Sequence, residues 1–248
     1  MTESPQRLDL ALVARDLVKS RAKAQSLIAE GRVSVDGIVT TKPTRKITAE
    51  MEITVTTPEI DWVGRGAKKL LHALDHFAVD VAGRTAADIG ASTGGFSQVL
   101  LERGVARIYA VDVGHGQLDP VVTEDSRLIN LEKTNARDLD KALIPMPLDL
   151  IVADVSFISL KKALPAALAL AASGAHLIAL VKPQFEVGKG NVGKGGIVRD
   201  EALAAAVPLE MEDWISGLPG WTSLGTVDSP IHGSDGNREF LMGARYDG

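Results

Sequence analysis

The segment Ala87-Asp88-Ile89-Gly90-Ala91-Ser92-Thr93-Gly94-Gly95-Phe96 constrains this chain more than any other. A short β-type run, Arg84 to Ile89, leads into Gly90, Gly94 and Gly95 and then into an amphipathic pattern from Phe96 to Glu102. A strand that ends in a glycine-rich turn and feeds a helix lets backbone N–H groups approach a ligand closely. A second apolar strand, Ile108-Tyr109-Ala110-Val111, ends in Asp112. Nucleotide-binding α/β folds put an acid there to grip ribose hydroxyls. The strict GxGxxG spacing is absent, and a glycine turn of any doubly wound sheet is the competing account. With Asp112 in place, the cofactor loop leads.

The 248 residues leave room for a small domain and a standard one. With 24% charged and 45% hydrophobic residues, the composition is that of a globular chain. No cysteine is present, which excludes a disulfide framework and thiolate metal sites. The five histidines are scattered, so no metal site is expected. The amino end has no basic leader with an apolar core, and a cytoplasmic location is the expectation. Ala163 to Val181 is apolar and nearly long enough to span a bilayer. It contains Pro165, Ser173, Gly174 and His176, so it reads instead as a buried helix over 160–172, a stop at Ser173-Gly174 and a core strand over 176–181.

The amino-terminal part differs in character. Residues 6–46 hold nine basic side chains against four acidic ones, a net +5, whereas the whole chain is −5. Such asymmetry points to a polyanion-binding module, with a solvated basic surface as the alternative. Leu8, Ala11, Leu12 and Ala14 fall at helical spacing, and Ser20 can cap a second helix that carries Ala24, Leu27 and Ile28. Gly31 ends that helix, and Val33-Ser34-Val35 with Asp36-Gly37 reads as a strand and tight turn. Lys19, Arg21 and Lys23 cluster at the second helix start. The pattern RLDxxLVxRxLxxSRxxAxxLIxxGxVxVDG, followed by Lys42-Pro43, resembles the S4 RNA-binding domain. The resemblance covers roughly residues 6–55 and implies RNA contacts from Arg7, Arg15, Lys19, Arg21, Lys23 and Lys42. Such domains hold structured RNA through phosphate and shape. A connection follows over 56–66, marked by Pro58, Gly64 and Gly66, with Trp62 expected to pack against one neighbouring domain. The expected domains are therefore 1–60 and 64–248.

Two further apolar strands end in charge. Leu148 to Ala153 precedes Asp154, and His176 to Val181 precedes Lys182-Pro183. Ligands of open parallel sheets bind beyond the carboxyl ends of the strands. An acid and a base delivered to that rim suit a catalytic pair, although each alone could be a strand-end salt bridge. A helical stripe, Leu70, Leu71 and Leu74, runs within 67–79 and carries Lys68 and Lys69.

Residues 64–247 resemble the FtsJ-type ribose 2′-O-methyltransferases, and Asp88 with Ser-Thr-Gly-Gly-Phe resembles their S-adenosylmethionine loop. The family's Lys-Asp-Lys-Glu tetrad carries over to Lys69 of GRGAKKL, Asp154 of IVADVSFISL, Lys182 of LVKPQFEVGKG and Glu239 of GNREF. Lys69 is chosen over Lys68 because the family has its lysine directly before Leu70. An S4 domain placed ahead is similar to the TlyA (hemolysin A) family, which methylates ribosomal RNA. The resemblance implies a seven-stranded Rossmann-like α/β domain preceded by a small α+β domain. It also implies S-adenosylmethionine as cofactor and ribosomal RNA or ribosomal subunits as partner.

The implied cofactor contacts are Asp88, Gly90, Ser92, Thr93, Gly94, Gly95 and Phe96 of the loop, with Asp112 and Asp154. Asn135 and Ala136 of Thr134-Asn135-Ala136-Arg137-Asp138 would face the adenine. His115 to Leu118 would touch the cofactor or only pack. Lys182 is the expected base toward a ribose hydroxyl, its neutral form favoured by burial and a nearby cation such as Lys69. Asp154 would orient it, and Glu239 would hold Lys69. Gly188 to Gly195 matches GxxxxGK but lacks the following Ser or Thr, so a basic loop over RNA fits better than an NTPase. Two rivals remain, a non-catalytic RNA-binding or assembly factor and a pore-forming hemolysin. The intact tetrad argues against the first, and the lack of a signal, alternating strands and a credible span argues against the second.

Overall fold

A computed structural model describes residues 5–56, 60–233 and 235–248. The chain divides into two compact units, one ending at Asp61 and one beginning at Trp62. Of the connection expected over 56–66, Pro58 with its neighbours Thr57 and Glu59 lies outside the described residues.

In the first unit, helices Leu8–Ala14 and Arg21–Ala29 pack on a three-stranded antiparallel sheet. Val33–Val35 is the central strand, between Ile38–Val39 and Ile53–Val55. Ser20 caps the second helix, its hydroxyl accepting from the Lys23 N–H at 3.2 Å. Asp36 and Gly37 both sit at positive φ, +52° and +77°, the turn geometry that matches the twist of a hairpin. Leu8, Leu12, Leu27, Ile28, Val33, Val35 and Ile47 form the core.

The second unit is built on a seven-stranded sheet. Its strands are β1 (Thr85–Ile89), β2 (Arg107–Asp112), β3 (Leu128–Glu132), β4 (Leu148–Ala153), β5 (Ala171–Val181), β6 (Trp221–Asp228) and β7 (Phe240–Tyr246). The order across the sheet is β6-β7-β5-β4-β1-β2-β3. β7 runs antiparallel to both its neighbours, and the other pairings are parallel. Helices α1 (Gly66–His76), α2 (Gly95–Glu102) and α3 (Glu201–Ser216) cover it. Both faces of the sheet are buried: Ala87, Ile89, Ile151 and Leu177 in one apolar cluster, Ala86, Ile108, Leu150 and Ile178 in the other. That explains why the central strands read as unbroken apolar runs. Trp62 packs against the second cluster, within its own unit.

The helix expected over 160–172 is a correction. Two short helices, Leu160–Ala163 and Pro165–Leu168, take its place, because Pro165 has no N–H to continue the first and starts the second. The alanines beyond enter β5 instead. Ala171 pairs with Leu148, and the register shifts before His176, with Gly174 at φ +83°. Ser173-Gly174 is thus a strand irregularity and not a helix stop. Among the described residues no helix is long and apolar enough to cross a membrane.

Candidate active site

Strand order decides the site. In a parallel sheet the point where the chain reverses direction across the strands opens a crevice at their carboxyl ends, and here it falls between β1 and β4. Ile89 pairs with Ala153, so Gly90 and Asp154 leave the sheet side by side, and the Asp154 N–H bonds to the Ile89 carbonyl at 3.0 Å. Gly90 has φ +87°, and a Cβ there would lie 2.6 Å from the Asp154 carbonyl oxygen. Only glycine fits that position.

The crevice holds two adjoining hollows that share Gly90, Ser92, Asp154 and Ser156. The larger, about 460 Å3, runs between the ends of β1, β2 and β4 and is walled by Val113, Ala136, Val155, Phe157 and Ile158. Asp112 lies at its edge, one carboxylate oxygen accepting from Ser92 N–H at 2.8 Å and the other from Gly114 N–H at 2.7 Å. Each oxygen keeps a second lone pair for a ligand hydroxyl. Asn135 and Ala136 also line it, and Asn135 caps the turn that follows by accepting from Arg137 N–H. In the His115 to Leu118 segment Gln117 lines the hollow while Leu118 is buried in the core. Glu132 pins that segment, and the Gln117 N–H and Asn130 amide it accepts from hold its carboxyl down to about 2.

The smaller hollow, about 310 Å3, is polar. It is lined by Lys69, Asp154, Lys182 and Glu239 together with Arg65, Thr93, Gly95 and Phe96. Lys69 Nζ donates to Glu239 Oε2 at 2.5 Å, both residues buried. Lys182 Nζ lies 2.5 Å from Asp154 Oδ1 and donates to Ser156 Oγ at 2.9 Å. Each lysine therefore stands beside its own carboxylate. The antiparallel β5–β7 pairing makes this possible: Val181 opposes Phe240, which puts Lys182 and Glu239 at the same rim.

Of the loop residues expected at the cofactor, Thr93, Gly95 and Phe96 line only the smaller hollow, and two line neither. Asp88 does not line either hollow. It is fully buried beneath the loop, where the Ser97 hydroxyl of α2 donates to Oδ2 at 2.7 Å and Oδ1 has no partner. Burial pushes its carboxyl up to about 7. Gly94 also stays out of the lining: at φ +92° it turns the chain into α2, where a Cβ would meet Val122 at 2.6 Å. Ser156 and Arg65 carry no local signal, because neither sits in a charged strand-end pattern. Arg65 is exposed and lies directly before Gly66, where α1 begins. The GxxxxGK segment follows a short helix, Pro183–Glu186, and not a strand, which removes the P-loop reading. Just past it, Asn237 accepts from Val198 N–H and donates to the Gly196 carbonyl.

In the first unit, the expected RNA-contacting cations divide in two. Asp9 has no exposed surface, and Arg7, Arg21 and Gln25 all donate to its carboxylate at 2.9–3.0 Å. Those bonds, Arg7 first, hold the Asp9 carboxyl well below the usual carboxylate range. Arg15 donates to the Met51 and Thr48 carbonyls at 2.8 Å, and Lys23 pairs with Asp61. Lys19 and Lys42 are exposed.

The FtsJ-like methyltransferase family matches residues 62–246, and the S4 domain matches residues 6–53. The 16S/23S rRNA (cytidine-2′-O)-methyltransferase TlyA of Mycobacterium tuberculosis is 48% identical over 96% of this chain and 89% of its own. Hemolysin A of Brachyspira hyodysenteriae is 37% identical over 95% of this chain and 98% of its own. A Lactococcus lactis protein solved under the hemolysin name superposes with a TM-score of 0.73 at 37% identity, covering 77% of this chain and 91% of that one. With the paired lysines and carboxylates at the switch of the sheet and an S4 domain ahead of it, the chain belongs to the TlyA family of FtsJ-like methyltransferases.

Proposed function

We propose that the protein transfers the methyl group of S-adenosylmethionine to a ribose 2′-hydroxyl of ribosomal RNA, at cytidine. In this reading residues 1–60 capture RNA and residues 64–248 carry the chemistry. One observation carries it: two lysine–carboxylate pairs, Lys69–Glu239 and Lys182–Asp154, face a polar hollow that adjoins the hollow edged by Asp112.

The residues suit the cofactor. Gly90 lets the ends of β1 and β4 meet at the floor of the hollow, Asp112 offers carboxylate lone pairs, and the Val155–Ile158 wall is largely apolar. When bound, the cofactor supplies an electrophilic methyl on a positively charged sulfur, and Asp154 is the carboxylate shared by both hollows. A ribose hydroxyl in the polar hollow must be aligned and relieved of a proton. Lys182 takes up that proton, and Asp154 with Ser156 fixes the direction of Nζ. Lys69, held by Glu239, supplies a fixed positive charge where the alkoxide develops. Arg65 at the mouth is placed for an RNA phosphate.

The test is to incubate the protein with labelled S-adenosylmethionine and separated 30S and 50S subunits and to map the methylated nucleotide. Label on a cytidine 2′-oxygen is expected. Label on a base, or none with either subunit, would overturn the reading.

A further inference from the structure

The segment from Asp154 to Leu160 is stitched to the segment from Lys182 to Glu186 at four points. Lys182 meets Asp154 and Ser156, and the Phe157 and Phe185 rings touch with centroids 5.3 Å apart. The last stitch is a single carboxylate. Glu186 Oε2 accepts from the Ser159 hydroxyl at 2.5 Å, and Oε1 accepts from the Leu160 N–H at 2.8 Å. Between the ends of this seam, Val155, Phe157 and Ile158 form the wall of the larger hollow.

That wall does not hold its own shape. Phe157 sits at φ +66°, a backbone state that residues with a Cβ avoid, and the residue is 92% exposed. Strain of this kind persists only where the surrounding structure over-determines it. On one side the wall is anchored by Asp154 against β1. On the other side the Glu186 carboxylate caps the start of the next short helix from across the seam. Both Glu186 acceptors are used, and burial raises its carboxyl from the ordinary glutamate value.

We infer that Glu186 is a positioning residue that clamps the Val155–Ile158 wall, and so sets cofactor affinity and the placement of Lys182 together. The inference rests on the larger hollow being the S-adenosylmethionine site. It concerns no contact of Glu186 with either substrate. Without the clamp the wall is free to relax from the Phe157 strain, and the cofactor then has to reorder it on binding. Glutamine preserves the clamp: its carbonyl accepts from Leu160 N–H, and its amide donates to the Ser159 oxygen.

The experiment is titration calorimetry of the full chain with S-adenosylhomocysteine, on wild type, Glu186→Ala, Glu186→Gln and Ser159→Ala, each checked for folding by its melt. Glu186→Ala is expected to weaken binding about tenfold or more, the worth of one charge-assisted hydrogen bond. Glu186→Gln should bind within about threefold of wild type, and Ser159→Ala should fall between. At saturating cofactor, single-turnover methylation by Glu186→Ala should also drop, because Lys182 shares the seam. A folded Glu186→Ala that binds as wild type, with only a lower melting temperature, would overturn the clamp and leave an ordinary helix cap. Should Glu186→Ala not fold, Ser159→Ala decides, since unchanged affinity there overturns the inference equally. Wild type that binds no S-adenosylhomocysteine would defeat the cofactor reading itself, and the clamp with it.

Discussion

Lys69 Nζ and Glu239 Oε2 lie 2.5 Å apart although 170 residues separate them in the chain. The pair joins α1, the first helix of the catalytic unit, to the residue just before β7, its last strand. Both side chains are almost fully covered, so the ions give up much of their hydration and depend on one another. Removing either partner leaves a buried charge alone. Lys69→Ala and Glu239→Ala should each cost about 3 kcal/mol in stability, read from urea unfolding. A Lys69→Met, Glu239→Leu double variant should recover much of that stability while remaining inactive. If it recovered activity as well, the pair would be a structural bolt and no part of the chemistry.

In the proposed reading, variants of Lys182 separate proton transfer from binding. Lys182→Ala should lower single-turnover methylation by roughly 10²–10⁴, the usual worth of a positioned base. Lys182→Arg should not rescue it, because a guanidinium keeps its protons and cannot accept another. Lys68→Ala, an exposed neighbour of Lys69 on α1, should keep wild-type rates. Full activity in Lys182→Arg would reduce the residue to a fixed positive charge.

In the S4 unit, the cations differ in what their removal should do. Lys19 and Lys42 are exposed, so the Lys19→Ala, Lys42→Ala variant should melt as wild type and bind rRNA more weakly. Its salt dependence should flatten by about 0.7–0.9 in log–log slope for each phosphate that is no longer neutralised. Arg7 and Arg21 instead hold the buried Asp9 carboxylate. Arg7→Ala should therefore lower the melting temperature of the unit, because the charge-assisted bonds to Asp9 go with it. Because the Asp9 carboxyl is held low, that contribution is fully present above the ordinary carboxylate range and is lost as pH falls through that range toward the lower folded value. Equal melting of Arg7→Ala and wild type at pH 7 would contradict this division.

Asp88 behaves in the opposite sense. Its folded carboxyl titrates near 7, above the ordinary value of 3.8, so the folded state holds a proton that the unfolded chain releases first. The stability of the protonated form is fully present below about 4 and is lost as pH rises through about 7. Asp88→Asn keeps the acceptor for Ser97 and carries no charge. It should match wild type near pH 4 and be more stable at pH 8, by a few kcal/mol on the order of the pKa gap. A constant difference between the two proteins from pH 4 to pH 8 would remove the titration from Asp88.

Much of the fold was legible because local chemistry and tertiary demand agree in it. Gly94 before a helix, Ser20 before another, and Asp36-Gly37 between strands each suit the turn they occupy, and the structure uses them so. Central strands buried on both faces announce themselves as apolar runs, and charges at their ends mark the rim. The alanine-rich stretch after Ala163 is the counterexample. Alanine fits helix and buried strand alike, so pairing of Ala171 with Leu148 decided its state, and Pro165 broke the helical pattern. Distance along the chain hid the rest. The sequence alone determined two domains, the glycine loop and which residue types could do the chemistry, because those are written in neighbouring positions. Only the tertiary structure decided that Asp88 lies beneath the loop, that Asp9 claims Arg7 and Arg21, that Ser156 meets Lys182 and that Glu186 meets Ser159 and Leu160. Those facts depend on which side of a strand faces which helix and on how segments far apart in the chain meet, and no local pattern encodes them.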